Sequence, residues 1–224
     1  MKMLLSLSLG TFYFISESAS AYTDIPVARF ETESLSRWQK KSFSGYTQYD
    51  IVTFNGQRVL KAESRGTASI LAKQLKVDLK KTPYLNWSWR IENTLPKLNE
   101  QTKQGDDYAA RLYIIQGGST RWSTTALNYV WSSNQAKGSR WNNAFIGENA
   151  KMMAVRGRTD VTKNWANEKR NVYQDLIELF GDRGSDQKNA QAYRFIDAVA
   201  IMTDTDNSQR SAVVYYGDIY FSKQ

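Results

Sequence analysis

Apolar and polar residues alternate with a period of two along most of the chain, as in β-strands that bury one face. In residues 84–92, one face carries Leu85, Trp87, Trp89 and Ile91, and the other carries Asn86, Ser88, Arg90 and Glu92. In residues 107–116, Tyr108, Ala110, Leu112 and Ile114 alternate with Asp107, Ala109, Arg111 and Tyr113. The same pattern predicts strands at 49–54, 58–63, 69–77, 125–131, 151–156, 194–203 and 212–221.

One segment, 171–180, instead has a helical period. Val172, Leu176, Leu179 and Phe180 form an apolar stripe, and Gly181 follows as a cap. Asn55-Gly56 predicts a tight hairpin turn, and the polar segments 99–105, 117–123 and 132–149 are predicted as loops. About ten short strands between turn signals favour an all-β fold. We expect an antiparallel, jelly-roll-like β-sandwich with one surface helix near 171–180.

The N-terminus is typical of a secretory signal peptide. Lys2 precedes an apolar run over residues 3–15, and small residues lead to Ala21. We therefore expect a signal peptide at 1–21, a single β-sandwich domain at 22–224, and a periplasmic or secreted protein. No transmembrane segment is expected after cleavage. An uncleaved N-terminal anchor is the alternative.

The amino-acid composition limits which ligands and catalytic groups the protein can use. The formal net charge is +8, and removing Lys2 and Glu17 with the signal peptide leaves it unchanged. That charge suits an anionic glycan or another cell-envelope polymer, and equally an ordinary soluble surface; nucleic acid is not expected after export. The chain contains no Cys and no His, which excludes disulfides, thiol chemistry and a Ser-His-Asp triad. Carboxylates remain as candidate catalytic groups, and they are also suitable ligands for Ca²⁺.

The stretch IMTDTDNS at 201–208 places carboxylates directly after an apolar strand. Asp204 and Asp206 continue one strand face, which is expected at the rim of a concave sheet; the alternative is a turn that uses Asp206 and Asn207. A helix-loop-helix calcium loop counted from Asp204 fails, because Gln209 and Tyr215 replace the required Gly and Glu. A non-standard calcium site at Asp204, Asp206 and Asn207 stays open, and no other cofactor is expected.

Two further segments combine opposite charges. Asp106, Asp107 and Arg111 flank the small Ala109, which indicates either a polar groove or ordinary cross-strand ion pairs. Around the helix start, capping explains either Asn167 or Asn171. It does not explain the following group: Glu168, Arg170 and Asp175.

Trp122 and Trp141 each follow an arginine in a predicted loop. There they either stack on a sugar ring or fold back over the core edge. Trp87, Trp89 and Trp131 are expected in the core.

These segments also carry a family resemblance. The motifs are GDDYAARLYI at 105–114, ALNYVW at 126–131, EKRNVYQD at 168–175, and MTDTDNS at 202–208 with YYGDI at 215–219. From about Phe30 onward the chain resembles bacterial exported proteins catalogued as domain of unknown function 3047. Where that family pattern runs E-R-N-V, this chain has E-K-R-N-V at 168–172. The resemblance implies export and a compact β-rich domain, and it supplies no activity.

Three functions follow from one geometric hypothesis. Six side chains would converge on one concave sheet face: Asp107, Arg111, Asn128, Arg170, Asp175 and Asp204. The leading interpretation is a glycan-binding domain whose candidate ligand residues are Asp106, Arg111, Asn128, Trp122, Trp141, Arg170, Asn171, Asp175, Asp206 and Asn207. One alternative is a glycoside-cleaving enzyme using Asp107, Glu168 and Asp204. The other is an envelope scaffold stabilised by a buried ion-pair network.

Overall fold

Two β-sheets carry the alternating pattern in the residues that the computed structural model describes, 24–117 and 124–224. Within these residues, strands β1 to β13 lie at Ile25–Ala28, Gln39–Ser44, Gln48–Phe54, Gln57–Arg65, Ala68–Asp78, Tyr84–Ile91, Ala110–Gln116, Thr125–Trp131, Arg140–Asn143, Gly147–Arg156, Ala166–Asn171, Phe195–Met202 and Ser211–Ser222. The helices there are α1 (Val172–Phe180), α2 (Asp186–Tyr193) and two short 3₁₀ helices, Leu35–Arg37 and Lys103–Gly105. The predicted all-β sandwich is confirmed.

The strand order separates the two sheets clearly. The six-stranded sheet runs β11-β6-β13-β4-β3, with β1 also paired to β13. The seven-stranded sheet runs β2-β5-β12-β7-β8-β10-β9. Among the described strands, β8 and β10 pair in parallel and the other pairs are antiparallel. The parallel pair corrects the expectation of a wholly antiparallel sandwich, because residue alternation does not encode strand direction.

An apolar core rich in aromatic rings fills the space between the sheets. Trp87 on β6 stacks on Tyr129 of β8, with ring centroids 5.3 Å apart. Trp89 lies 6.0 Å from Trp131, centroid to centroid. All four side chains are buried, so the expected core position of the three tryptophans is confirmed.

The outer faces of the sheets receive the polar residues of the same strands. Leu112 on β7 and Tyr129 on β8 belong to the inter-sheet core. Because neighbouring strand residues point to opposite faces, Arg111 and Asn128 lie on the outer face of the seven-stranded sheet. By the same rule, Ser88 on β6 lies on the outer face of the six-stranded sheet.

Local signals for one turn and one helix are confirmed. Asn55 and Gly56 have φ of +50° and +83°, the left-handed conformation that a tight hairpin requires, and they join β3 to β4. Helix α1 starts after Asn171, whose side-chain oxygen accepts the backbone N–H of Gln174 at 3.0 Å. It ends before Gly181, whose φ is +98°.

Several elements lie outside the sequence prediction. Strands β1, β2, β9 and β11 are not among the predicted strands. The prediction of a loop over 132–149 is wrong, because β9 and the start of β10 lie in that segment. Helix α2 corrects the expectation of a single helix. Its sequence, DQKNAQAY, has no apolar stripe; Ser185 caps it by accepting the Lys188 backbone N–H at 3.2 Å.

Two expectations concern residues beyond the described part. The predicted signal peptide, 1–21, and Trp122, in 118–123, lie outside the residues that the structure describes. Of the helices within 24–117 and 124–224, none has the length and apolar character needed to cross a membrane.

Candidate functional site

Arg111 lies at the centre of a buried cluster on the outer face of the seven-stranded sheet. Only 4% of the residue is exposed. Its guanidinium carbon lies 5.0 Å from the ring centroid of Tyr108 and 4.7 Å from that of Tyr113. Its Nε donates to Asn128 Oδ1 at 3.1 Å. Aromatic faces and an amide oxygen therefore fix the orientation of this buried charge.

Two carboxylates face the guanidinium. Arg111 Nη1 lies 3.5 Å from Asp204 Oδ2 and 3.6 Å from Asp106 Oδ2. Asn143 Nδ2 donates to both oxygens of Asp106, at 3.1 and 3.0 Å. The approach follows from strand pairing, because Met202, at the end of β12, lies opposite Arg111 on β7. Residues distant in sequence thus meet where these two strands adjoin.

Asp107 fixes the loop after β12 beside Arg111 and Asp204. Its buried carboxylate accepts the backbone N–H groups of Asn207, at 3.2 Å, and Ser208, at 2.6 Å. One carboxylate oxygen from each of Asp107, Asp204 and Asp206 lies within 4.8 Å of the other two. We define the Arg111 cluster as Arg111, Asn128, Asp106, Asp107, Asp204 and Asp206.

The carboxylates of the Arg111 cluster outnumber its guanidinium, and the pKa values of two of them are raised. Burial raises the pKa of Asp204 well above its usual range; Arg111 opposes this shift, whereas Asp106, Asp107 and Asp206 add to it. Burial and the neighbouring Asp107 likewise raise the pKa of Asp206. Asp204 Oδ1 is buried and has no hydrogen-bond partner among the described residues. The cluster therefore holds more acid than Arg111 neutralises.

The segment entering β7 departs from the predicted strand. β7 begins at Ala110, and residues 106–109 form a connection held by Asp107. Tyr108, predicted opposite Arg111, therefore lies against it. Ala109, predicted on the same face as Asp107 and Arg111, is instead buried in the inter-sheet core. These are corrections to the alternation assumed for residues 107–110.

Arg170 and Asp175 form a separate group where α1 meets the sandwich. Arg170 Nε donates to Asp175 Oδ2 at 2.9 Å, and the Tyr129 hydroxyl donates to the same oxygen at 2.6 Å. Burial, followed by the charge of Asp175, raises the pKa of Tyr129 well above its usual range. Asn171 caps α1. The first turn of α1 is therefore tied to β8 and β11.

Glu168 belongs to a third group. Its Oε1 accepts hydrogen bonds from Arg156 Nε and, at 3.2 Å, from Trp89 Nε1. Arg156 Nη1 also donates to Asp160 Oδ1 at 3.1 Å. The Glu168 carboxylate is thus committed to protein donors on β6 and β10.

The structure therefore divides the side chains that were expected to share one hollow. Asp107, Arg111, Asn128 and Asp204 meet in the Arg111 cluster. The other two, Arg170 and Asp175, lie on the inter-sheet side, because they contact Tyr129 whereas Arg111 contacts Asn128. Adjacent residues of β8 point to opposite faces, so the seven-stranded sheet separates the groups.

Two further candidate residues have structural contacts. Trp141 lies in β9 and not in a loop, is 9% exposed, and stacks near Tyr108 with ring centroids 6.5 Å apart. Asn207 donates from Nδ2 to the carbonyl oxygen of Lys103 at 2.8 Å. Trp141 thus packs beside the Arg111 cluster, and Asn207 helps to close the loop over it.

A further hollow lies elsewhere, on the outer face of the six-stranded sheet. It measures about 570 Å³, and we call it the outer groove. Its lining residues are Glu31, Gly56, Gln57, Arg58, Val59, Ser88, Trp165, Asn167, Gly217 and Asp218. Two hollows of about 360 Å³ adjoin it at Asp218, and one of them also shares Ser88 and Asn167 with it. Together they form an extended depression across the sheet.

Gly217 shapes the floor of the outer groove. A Cβ atom at this position would lie 2.2 Å from Ser88 Oγ and 3.7 Å from the ring of Trp165. The pairing of β13 with β6 is irregular between Tyr216 and Ile219, as at a β-bulge. The missing side chain therefore leaves room for a serine hydroxyl beside an indole ring.

The outer groove offers free polar groups next to an aromatic surface. Trp165 is half-buried and packs edge-on against Phe54, with centroids 6.2 Å apart and an interplanar angle of 75°. Neither the Ser88 hydroxyl nor the Asn167 carboxamide hydrogen-bonds to another described residue. Sequence reasoning missed this site. The sequence signal for it was the polar face of residues 84–92, which includes Ser88. The other residues that line the groove come from segments distant in sequence, so this signal alone did not indicate a groove.

Comparison with known proteins gives one family match. The model of the family described as "Protein of unknown function (DUF3047)" matches residues 36–220. No curated protein matches the chain.

Solved β-structures of low identity resemble the chain. A family 11 carbohydrate-binding module from Clostridium thermocellum, in complex with a β-1,3-1,4-mixed-linked tetrasaccharide, is 10% identical. The match covers 91% of this chain and 97% of the module, with a TM-score of 0.46. The xyloglucanase domain of NopAA from Sinorhizobium fredii, in complex with cellobiose, is also 10% identical, covering 86% and 100%, with a TM-score of 0.43. At these values the likeness transfers neither ligand nor activity.

Proposed function

Because the chain belongs to the DUF3047 family, whose description assigns no activity, we propose a function from its own side chains: it binds a carbohydrate in the outer groove. The observation that carries the proposal is the placement of Trp165 beside the Ser88 hydroxyl and the Asn167 carboxamide, which have no hydrogen-bond partner among the described residues, in a hollow of about 570 Å³. The N-terminal pattern of residues 1–21 supports an exported protein that meets glycans of the cell envelope.

The chemistry of the outer groove suits a sugar. A pyranose ring presents an apolar C–H face, which packs on an aromatic ring, and hydroxyls, which both donate and accept hydrogen bonds. Trp165 supplies the ring, whereas Ser88 and Asn167 supply donors and acceptors. Ligand sites combine an apolar surface with a few placed polar groups in just this way.

The shape of the depression favours a chain of sugars over a single one. The adjoining hollow is lined by Asn86, Lys169 and Tyr220 as well as by the shared Ser88 and Asn167. Tyr220 adds a second, half-exposed aromatic ring. Consecutive sugar units of an oligosaccharide would therefore find an aromatic surface in these two hollows.

The charge of the depression is mixed. Arg58 and Lys169 contribute positive charge, whereas Glu31 and Asp218 contribute negative charge. Asp218 Oδ1 accepts the Phe30 backbone N–H at 2.9 Å, so one of its carboxylate oxygens already has a protein partner. The preference for an anionic glycan is therefore supported only by the net charge of +8. Both neutral and acidic sugars belong in the test.

Each of the three carboxylates that suggested glycoside cleavage already has at least one protein partner. Asp107 accepts two backbone N–H groups, Asp204 faces Arg111, and Glu168 accepts from Arg156 and Trp89. A glycosidase needs its acid and its base or nucleophile free to face the scissile bond across a cleft. These three residues therefore favour binding or structural roles over hydrolysis.

Replacing Trp165 with alanine is expected to weaken glycan binding at least about tenfold, as loss of an aromatic anchor does. A glycan array with neutral and acidic oligosaccharides identifies a ligand, and calorimetry measures its Kd for both proteins. The control is Tyr46→Ala, which removes an aromatic residue that is 67% exposed and lies outside the groove lining. Equal affinity of the two variants, or no bound glycan, would refute the proposal.

A further inference from the structure

We propose that Asp107, Asp204 and Asp206 bind a calcium ion that fastens the loop after β12 to the segment entering β7. The proposal concerns the Arg111 cluster and is independent of glycan binding in the outer groove. It starts from three carboxylate oxygens that lie within 4.8 Å of one another. Oxygens coordinating one Ca²⁺ are each about 2.3–2.6 Å from the ion, so three atoms this close can share it.

An unsatisfied buried oxygen points independently to a ligand. Asp204 is 2% exposed, and its Oδ1 has no hydrogen-bond partner among the described residues. The buried Ser208 hydroxyl also lacks a partner there, although its residue donates its backbone N–H to Asp107. A buried polar atom without a partner costs free energy, and a cation bound to Asp204 Oδ1 removes that cost.

Charge balance supports a cation. Arg111 supplies the positive charge of the cluster, and its Nη1 lies 3.6 Å from Asp106 Oδ2 and 3.5 Å from Asp204 Oδ2. Asp107 and Asp206 receive no ion pair of 4.0 Å or less from a described residue. A divalent ion beside them would offset the repulsion among the three carboxylates.

The ligand set selects the ion. The protein has no His and no Cys, so the softer ligands that hold most transition metals are missing. Mg²⁺ gives up its water reluctantly, whereas Ca²⁺ accepts several protein oxygens in irregular geometry. A largely buried group of carboxylates therefore fits Ca²⁺.

The site differs in one residue from the calcium site expected from the sequence. Asp107 takes the place of Asn207, whose Nδ2 donates to the Lys103 carbonyl oxygen and whose backbone N–H donates to Asp107. The loop after β12 therefore brings its two carboxylates to a third on the segment entering β7. An ion held there joins the two segments directly.

Thermal unfolding of the full-length protein tests this site. With about 1 mM CaCl₂, about ten times the Kd of the tighter extracellular calcium sites, the Tm is expected to rise by about 3–6 °C over the value in EDTA. Asp206→Asn should weaken Ca²⁺ binding, measured by calorimetry, at least about tenfold. Asp204→Asn gives a second variant of nearly the same shape. The matched control is Asp186→Asn, whose side chain is 84% exposed.

Each outcome decides the proposal. A calcium-dependent Tm shift in the wild type and in Asp186→Asn, reduced in both cluster variants, supports it. Equal Tm values of the wild type in CaCl₂ and in EDTA would overturn it. Equal shifts with MgCl₂ and CaCl₂ would overturn the choice of ion, and an undiminished shift in both cluster variants would overturn the choice of ligands.

Discussion

Replacing Arg111 with methionine is expected to lower the free energy of unfolding by about 3–5 kcal/mol, as removal of one partner from a buried ion pair does. Methionine roughly matches the length of the arginine stem but carries no charge. Asp106 and Asp204, 6% and 2% exposed, would then lack their guanidinium partner. Asn128 would also lose the N–H that its Oδ1 accepts.

Urea denaturation at neutral pH in EDTA measures this loss without a contribution from bound calcium. The control is Arg65→Met, because Arg65 also pairs with a carboxylate, Glu63, but 78% of its side chain is exposed. An exposed ion pair is worth less than about 1 kcal/mol. A similar, small loss in both variants would show that the Arg111 cluster does not depend on its guanidinium.

Replacing Asp175 with alanine is expected to lower the free energy of unfolding by about 2–4 kcal/mol, because a buried hydroxyl loses a charged acceptor. Asp175 is 2% exposed and accepts from both Tyr129 and Arg170. The Tyr129 hydroxyl is fully buried and would lose the carboxylate to which it donates. The first turn of α1 would also lose its attachment to β8.

The same helix provides the control for Asp175. Glu178 pairs with Arg140, but 45% of its side chain is exposed, so Glu178→Ala is expected to cost less than about 1 kcal/mol. Chemical denaturation of both variants gives the comparison. Equal losses would mean that α1 is held by its apolar stripe alone.

Periodicity predicts the long strands of this fold and not the short ones. Residues 84–92 alternate so regularly that β6 was placed within one residue of its observed bounds, Tyr84–Ile91. β9 comprises only RWNN and has one apolar residue, Trp141, so no periodic signal exists. The parallel pairing of β8 with β10 was equally hidden, because it depends on contacts between segments distant in sequence.

The alternating pattern also predicted part of the Arg111 cluster. Asp107, Arg111 and Asp204 stood out because each interrupts an apolar pattern, but the sequence could not show their burial. Asn143, which bonds Asp106, lay in a predicted loop without a signal. The outer groove depends on Gly217, whose role appears only when Ser88 and Trp165 are adjacent in space.

NMR titration with an array-selected oligosaccharide tests the central claim, sugar binding in the outer groove, most directly. In ¹⁵N-labelled protein, the indole N–H signal of Trp165 and the backbone signals of Ser88 and Asn167 are expected to shift with saturable dependence on ligand. The buried Trp141 indole, beside the Arg111 cluster, should stay unchanged. Saturable shifts confined to Trp141 and the Arg111 cluster, with Trp165 unaffected, would contradict the account.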